Sequence, residues 1–187
     1  LEKYPEARIQ ILDSALVTVL QGLFVLEAVS LRDQGKGLEA AVQRLEEIKK
    51  TGRIFFTVGD VEYLRAGGRI GKVAGMASSL LGIKPLITMR DGEIFPSGIA
   101  RSRKKTMSLT VELLRKYLAE QGKPIERYSL AMGFGYDEEE GKSYLDYVHS
   151  CLREEYGVKE LSLYQIGATI GVHTGPYPLG LGLIERA

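Results

Sequence analysis

The 187 residues carry 25 Lys and Arg against 24 Asp and Glu, so net charge gives no case for nucleic acid or a bulk anionic surface as partner. With 44% hydrophobic residues the chain can bury a real core, as one generous domain or two small ones. Its lone cysteine, Cys151, excludes an internal disulfide and fits a reducing, cytoplasmic setting.

In chain order, Leu1-Glu-Lys-Tyr-Pro5 reads as the tail of a helix running into a strand, so the chain is expected to be the C-terminal part of a longer protein. Residues 8–12 are a short β-prone run, closed by Asp13 and Ser14, which suit a helix cap. Residues 16–32 predict a mostly buried helix. Leu38, Ala41, Val42, Leu45 and Ile48 predict a second, amphipathic one. Residues 54–58 are a strand, followed by a short helical turn over 61–65 and a glycine-rich turn around Arg69. Residues 73–81 are apolar and small. Asp91-Gly92 between two apolar runs predicts a hairpin over 84–99. Arg101-Ser-Arg-Lys-Lys105 opens a helix with Thr110, Leu113, Leu114, Tyr117 and Leu118 inward. A strand follows over 128–134. Acids at 137–140 then start a helix with Tyr144, Leu145, Val148, Cys151 and Leu152 inward. Residues 159–165 make a further strand.

The last stretch holds the sharpest feature. Residues 161–184 contain no Asp, Glu, Lys or Arg, a length that raises a membrane span. Five glycines, two prolines, Gln165 and His173 argue against it, because a spanning helix would lose backbone hydrogen bonds at the prolines. We expect instead a buried strand, a tight turn around His173, and a final strand over 180–184.

The alternation of strands and helices gives an α/β class. A parallel, Rossmann-like sheet is expected over residues 1–70, and a second α/β domain with a mixed sheet over 71–187.

Several chemistries lack their motifs. Two histidines 24 positions apart and one cysteine match no zinc spacing. There is no P-loop, dinucleotide fingerprint or Gly-x-Ser-x-Gly elbow. His149 reads as a surface residue. His173 reads as a general base, an anion partner or a satisfied core histidine. Beside it, the hydroxyl of Thr174 and the amide of Gly175 give three donors within three residues, in the manner of an anion nest. Arg69 is either an exposed turn arginine or a guanidinium held to grip an oxyanion. Arg101, Arg103, Lys104 and Lys105 form either a solvated face or a phosphate or partner contact.

Residues 61–71 (Val-Glu-Tyr-Leu-Arg-Ala-Gly-Gly-Arg-Ile-Gly), 79–88 (Ser-Leu-Leu-Gly-Ile-Lys-Pro-Leu-Ile-Thr), Asp91-Gly92, 101–105 and 166–176 (Ile-Gly-Ala-Thr-Ile-Gly-Val-His-Thr-Gly-Pro) occur in this order. Together they resemble the DegV family of bacterial fatty-acid-binding proteins, including the FakB-type carriers, over the C-terminal two-thirds of the family's length. The resemblance implies a carrier, not an enzyme, that holds a long-chain fatty acid and uses no cofactor or metal. A separate ATP-dependent kinase would convert the bound acid to an acyl phosphate for phospholipid synthesis. It implies no nucleic acid, and admits transient contact with a membrane surface. His173, with Thr174 and Gly175, falls at the carboxylate network. Arg69, Arg101 and Arg103 fall at the mouth or the kinase-docking face. Met76, Leu80, Leu81, Ile83 and Ile170 are placed along the tail. Two departures stand out. The family's N-terminal hydroxyl-bearing segments, Thr-Ser-x-Pro-Ser and Ser-Gly-x-Ser-Gly-Thr, do not occur here, and Tyr177 stands where a glycine is common. The competing expectations are a hydrolase or acyltransferase with His173 as base, served by Ser78, Ser79 or Thr174, and a regulatory protein with a vestigial cavity.

Overall fold

The final strand, Leu179–Glu185, explains most of the architecture. Leu179, Leu181 and Leu183 alternate with Gly180 and Gly182, so one face of the strand is greasy and bulky and the other is bare. In the computed structural model, which describes residues 3–72 and 82–187, this strand lies inside a six-stranded mixed sheet. We number the strands β1 (Arg53–Thr57), β2 (Lys84–Arg90), β3 (Glu93–Ala100), β4 (Tyr128–Phe134), β5 (Ser162–Gln165) and β6 (Leu179–Glu185). Their spatial order is β3-β2-β1-β6-β4-β5.

Two helical layers sandwich the sheet. On one side lie α1 (Thr18–Asp33) and α2 (Leu38–Ile48); on the other lie α4 (Arg103–Gln121) and α5 (Glu138–Tyr156). Two short helices, α3 (Glu62–Ala66) and α6 (Ala168–Thr174), sit at one end. The period-2 pattern sorts the strand residues. Phe55, Met132, Leu181 and Leu183 join Val111, Leu114, Tyr144 and Val148 of α4 and α5. Ile54, Ala131 and Ile184 face Leu20, Leu23 and Phe24 of α1. Each fully buried Leu contributes roughly 1.5–3 kcal/mol.

The helix boundaries follow local chemistry. Ser102 caps α4 by accepting from the Lys105 amide at 3.2 Å, and Asp137 caps α5 by accepting from Glu140 at 2.9 Å. Both helices stop at left-handed glycines, Gly122 (φ 62°) and Gly157 (φ 70°). Glu185 is buried among cations. Desolvation opposes its charge, but Lys123 at 2.7 Å, Arg127 and Arg44 hold its carboxyl below the ordinary carboxylate value.

The α/β class, the mixed sheet and the hairpin agree with expectation, and Asp91 and Gly92 have the positive φ of 52° and 77° that the Asp-Gly signal requires. Three local readings do not hold. Residues 8–12 form no strand, and Ile9 and Ile11 are exposed there. No parallel sheet therefore forms before residue 70: β1 pairs antiparallel with both β2 and β6, and the parallel pair is β4 with β5. Asp13 and Ser14 do not cap α1. They accept from the amides of Ala15 (2.8 Å) and Leu16 (3.2 Å), and the helix begins only at Thr18.

Candidate functional site

The bare face of β6 does not pack solidly against α1. Between them lies an apolar cavity of about 480 Å³, within the range of roughly 300–1,000 Å³ usual for small-molecule sites. Its floor is the sheet, through Ile54, Phe56, Met89, Gly133 and Gly180. Val17 and Val19 at the start of α1 roof it, and Ile166 and Ile170 form a wall. Arg69, His173 and Thr174 line it too.

The polar residues here stand on α3, α6 and the turns after them. The histidine segment is helical rather than the tight turn expected, with Gly167 as N-cap of α6 and Gly175 (φ 72°) as its C-cap. The helix changes which donors are free. The Gly175 amide donates to the Gly171 carbonyl at 2.8 Å, completing the helix instead of facing a ligand. The Thr174 hydroxyl lies 3.2 Å from the Ile170 carbonyl, an internal i−4 bond. His173 differs from both. Its Nδ1 is buried and has no hydrogen-bond partner among the described residues. The three-donor nest is thus reduced to the His173 ring, and a buried, unpaired nitrogen such as its Nδ1 costs roughly 1–3 kcal/mol unless something pairs with it.

The ring is held by close backbone approach. A β-carbon on Gly67 would stand 2.2 Å from His173 Nδ1, and one on Gly175 would stand 2.4 Å from the Tyr63 ring. These two glycines let α3 and α6 pack face to face.

Arg69 is exposed and donates to the Gly67 carbonyl at 2.7 Å, so its guanidinium braces its own turn at the cavity edge. Arg101 is exposed just before the Ser102 cap. Arg103 is engaged elsewhere. It grips Glu140 with two bonds of 2.6 and 2.7 Å and donates to the Tyr177 carbonyl at 2.7 Å. The Tyr136 amide holds the Pro176 carbonyl at 2.7 Å and the Gly135 amide holds that of Pro178 at 3.0 Å, so all three carbonyls of the Pro-Tyr-Pro turn are anchored. Tyr177 rests against Gly59 and lines a second, outer cleft, not the cavity. Thr174 lines both spaces.

Of the expected tail residues, Ile170 lines the cavity, Ile83 is half-buried and does not, and Met76, Leu80 and Leu81 lie outside the described residues. The sequence reading missed the floor: Ile54, Phe56, Gly133 and Gly180. Alternation within β1 and β6 was the signal available. Among the described residues no cluster of His, Cys, Asp or Glu has a metal-binding arrangement, and no helix is long and apolar enough to cross a membrane.

The fold and this site define a three-layer α/β protein built around an apolar cavity with one unsatisfied imidazole at its lining. The chain belongs to the DegV family: the family model, described as an uncharacterised protein of that name, matches residues 2–186. A DegV domain-containing protein of Clostridium perfringens is 33% identical over 94% of this chain and 58% of its own length. Among solved structures, a stearic-acid-binding protein from Eubacterium ventriosum is 41% identical, with a TM-score of 0.87 over 99% of this chain and 62% of that one. A fatty-acid-binding DegV family protein from Thermus thermophilus is 27% identical, with a TM-score of 0.84 over 98% of this chain and 63% of its own. The chain therefore spans about three-fifths of the length of these relatives.

Proposed function

We propose that this chain holds a long-chain fatty acid, with the tail in the cavity beneath α1 and the carboxylate paired to His173. The observation that carries the reading is the buried Nδ1, without a partner among the described residues, of a histidine that lines a largely apolar cavity. An acyl tail gains roughly 0.8 kcal/mol per buried methylene, on the order of 10 kcal/mol in all. Its carboxylate would lose several kcal/mol if buried without a donor, and the imidazole supplies one. The stearic-acid-binding and Thermus relatives give the same ligand class. The Thr174 hydroxyl is spent within α6 and Gly175 lets α6 pack against Tyr63, so both support the imidazole rather than the carboxylate directly.

As a finer step, we infer that the protein is a cytoplasmic carrier presenting the carboxylate to a partner ATP-dependent kinase for acyl-phosphate formation. That step is supported by the family resemblance and by the exposed Arg69 and Arg101. For the hydrolase or acyltransferase reading, the Thr174 hydroxyl bonds back into its own helix, and Ser78 and Ser79 lie outside the described residues. Solvent extraction of the purified protein, followed by mass spectrometry, should release about one long-chain acid per chain. A protein that yields none and cannot be loaded with one is not a fatty-acid carrier.

A further inference from the structure

Ala15 and Thr18 are left-handed without being glycine, at φ 52° and 51°. For a β-branched residue such as Thr18 that region is a genuine outlier, and strained backbone persists only where its surroundings hold it. Here the restraints are identifiable. The Lys49 ammonium donates to the Asp13 carbonyl at 2.9 Å, and the Ala15 amide donates to the Asp13 carboxylate at 2.8 Å. Leu16 is buried beside Gly52, whose added β-carbon would stand 2.7 Å from it. Residues 13–18 are thus a pinned strap, and Val17 and Thr18 at its end line the cavity. Facing the strap is the tip of the β2–β3 hairpin. Gly92 and Glu93 line the cavity and are also exposed, so the lining reaches the surface there. A β-carbon on Gly92 would lie 3.7 Å from Ala15 Cβ and 3.9 Å from the Ala15 carbonyl oxygen, so strap and tip meet in ordinary contact. Strand β3 stands at the end of the described strand order, which ties the tip to the sheet through β2 alone.

We propose that the seam between the Ala15 strap and the Gly92 tip is a gate through which the ligand enters and leaves the cavity. The inference rests on the fatty-acid reading above and adds a route to it. His173 Nδ1 is buried, so an acid that pairs with it passes a wall that parts. The seam has what such a wall needs. Both of its sides line the cavity, and one of them reaches the surface. It closes on a methyl group against a glycine, a contact of small dispersion energy. Its closed form also holds two strained residues, and relaxing them offsets part of the cost of opening.

The test locks the seam by combining Ala15→Cys with Gly92→Cys, since the β-carbons of a disulfide lie about 3.5–4.5 Å apart. Association and release of cis-parinaric acid, a fluorescent polyene fatty acid, are followed by stopped flow in the oxidised and reduced forms of that one protein. Wild type given the same oxidant accounts for Cys151. Oxidation should slow both association and release by about tenfold or more while equilibrium affinity stays within about threefold, and reductant should reverse the change. Ala15→Val, which puts a β-branched side chain at a left-handed position in the seam, should speed release several-fold. A double variant that does not cross-link under oxidant shows that strap and tip do not meet, and overturns the gate. A cross-linked protein that exchanges at the reduced rate overturns it too, as does Ala15→Val releasing at the wild-type rate. Each of these leaves the fatty-acid reading intact. Failure of wild type to bind cis-parinaric acid at all overturns the gate and that reading together.

Discussion

Gly67→Ala is expected to disturb the His173 ring directly and strongly. The added carbon would stand 2.2 Å from His173 Nδ1 and 3.1 Å from both His173 Cγ and the Tyr63 carbonyl. Real carbons do not approach so closely, so either the imidazole rotates away or α6 lifts off α3. Overpacking of this kind costs about 1–3 kcal/mol of stability. Losing a hydrogen bond to a charged carboxylate costs about 1.5–3 kcal/mol of binding, or roughly tenfold to a hundredfold in affinity. Gly71→Ala is the matched control, because a β-carbon there meets nothing within 4 Å among the described residues. Calorimetric titration of the two variants with palmitic acid should separate them. Similar affinities would mean that His173 does not need its observed position.

Arg103→Ala should be strongly destabilising at the outer cleft. Arg103 and Glu140 are mostly buried, at 20% and 23% side-chain exposure, and their bidentate pair also carries the bond to the Tyr177 carbonyl. Truncation leaves a carboxylate and a carbonyl without their donor in a site that is only partly wet. Fully buried pairs lose 3–5 kcal/mol when one partner is removed; at this exposure about 2–3 kcal/mol is appropriate. For a chain of this size that corresponds to a fall in Tm of about 5–10 °C. Arg103→Lys should recover little of it, since an ammonium cannot reproduce the planar fork that spans two carboxylate oxygens and a carbonyl. An unchanged melting curve for Arg103→Ala would show that the turn is held by the Gly135 and Tyr136 amides alone.

The role of Arg103 shows where sequence reasoning reached and where it stopped. The basic run at 101–105 was visible, and so was its place at a helix start. Which of its members is free was not. The partner of Arg103 lies 37 positions away on α5 and its second acceptor 74 positions away, separations that no local pattern encodes. Helices α4 and α5 were legible because three or more turns of inward residues outweigh any single exception. Helix α6 was not. Its seven residues are too few to establish a 3.6-residue period, and Gly171 between β-branched Ile170 and Val172 reads more naturally as a turn. Strand pairing was equally hidden: residues 54–58 are plainly a strand, but the antiparallel partners on both sides come from beyond residue 80. Residues 8–12 carry β-propensity, yet no described strand pairs with them, and propensity without a partner makes no strand.

Gly180 and Gly182 illustrate the same limit at the site. They were visible as glycines in an apolar run and were read as part of the reason to reject a membrane span. Their alternation with three leucines instead makes β6 two-faced. One face anchors the core against α4 and α5, and the other leaves the space beneath α1 open. The cavity is thus a consequence of strand geometry, while His173, with Arg69, Glu93 and three threonines, gives its lining polarity.

Of all these statements, the pairing of His173 with a carboxylate is the one on which the account depends. Its most direct test is a paired titration of wild type and His173→Ala with palmitic acid and with hexadecanol, which has the same tail and no charge. The account predicts that His173→Ala weakens palmitic acid by about tenfold or more while hexadecanol binding stays within about twofold. Equal losses for the acid and the alcohol would contradict it, and would make His173 a packing residue of the cavity wall.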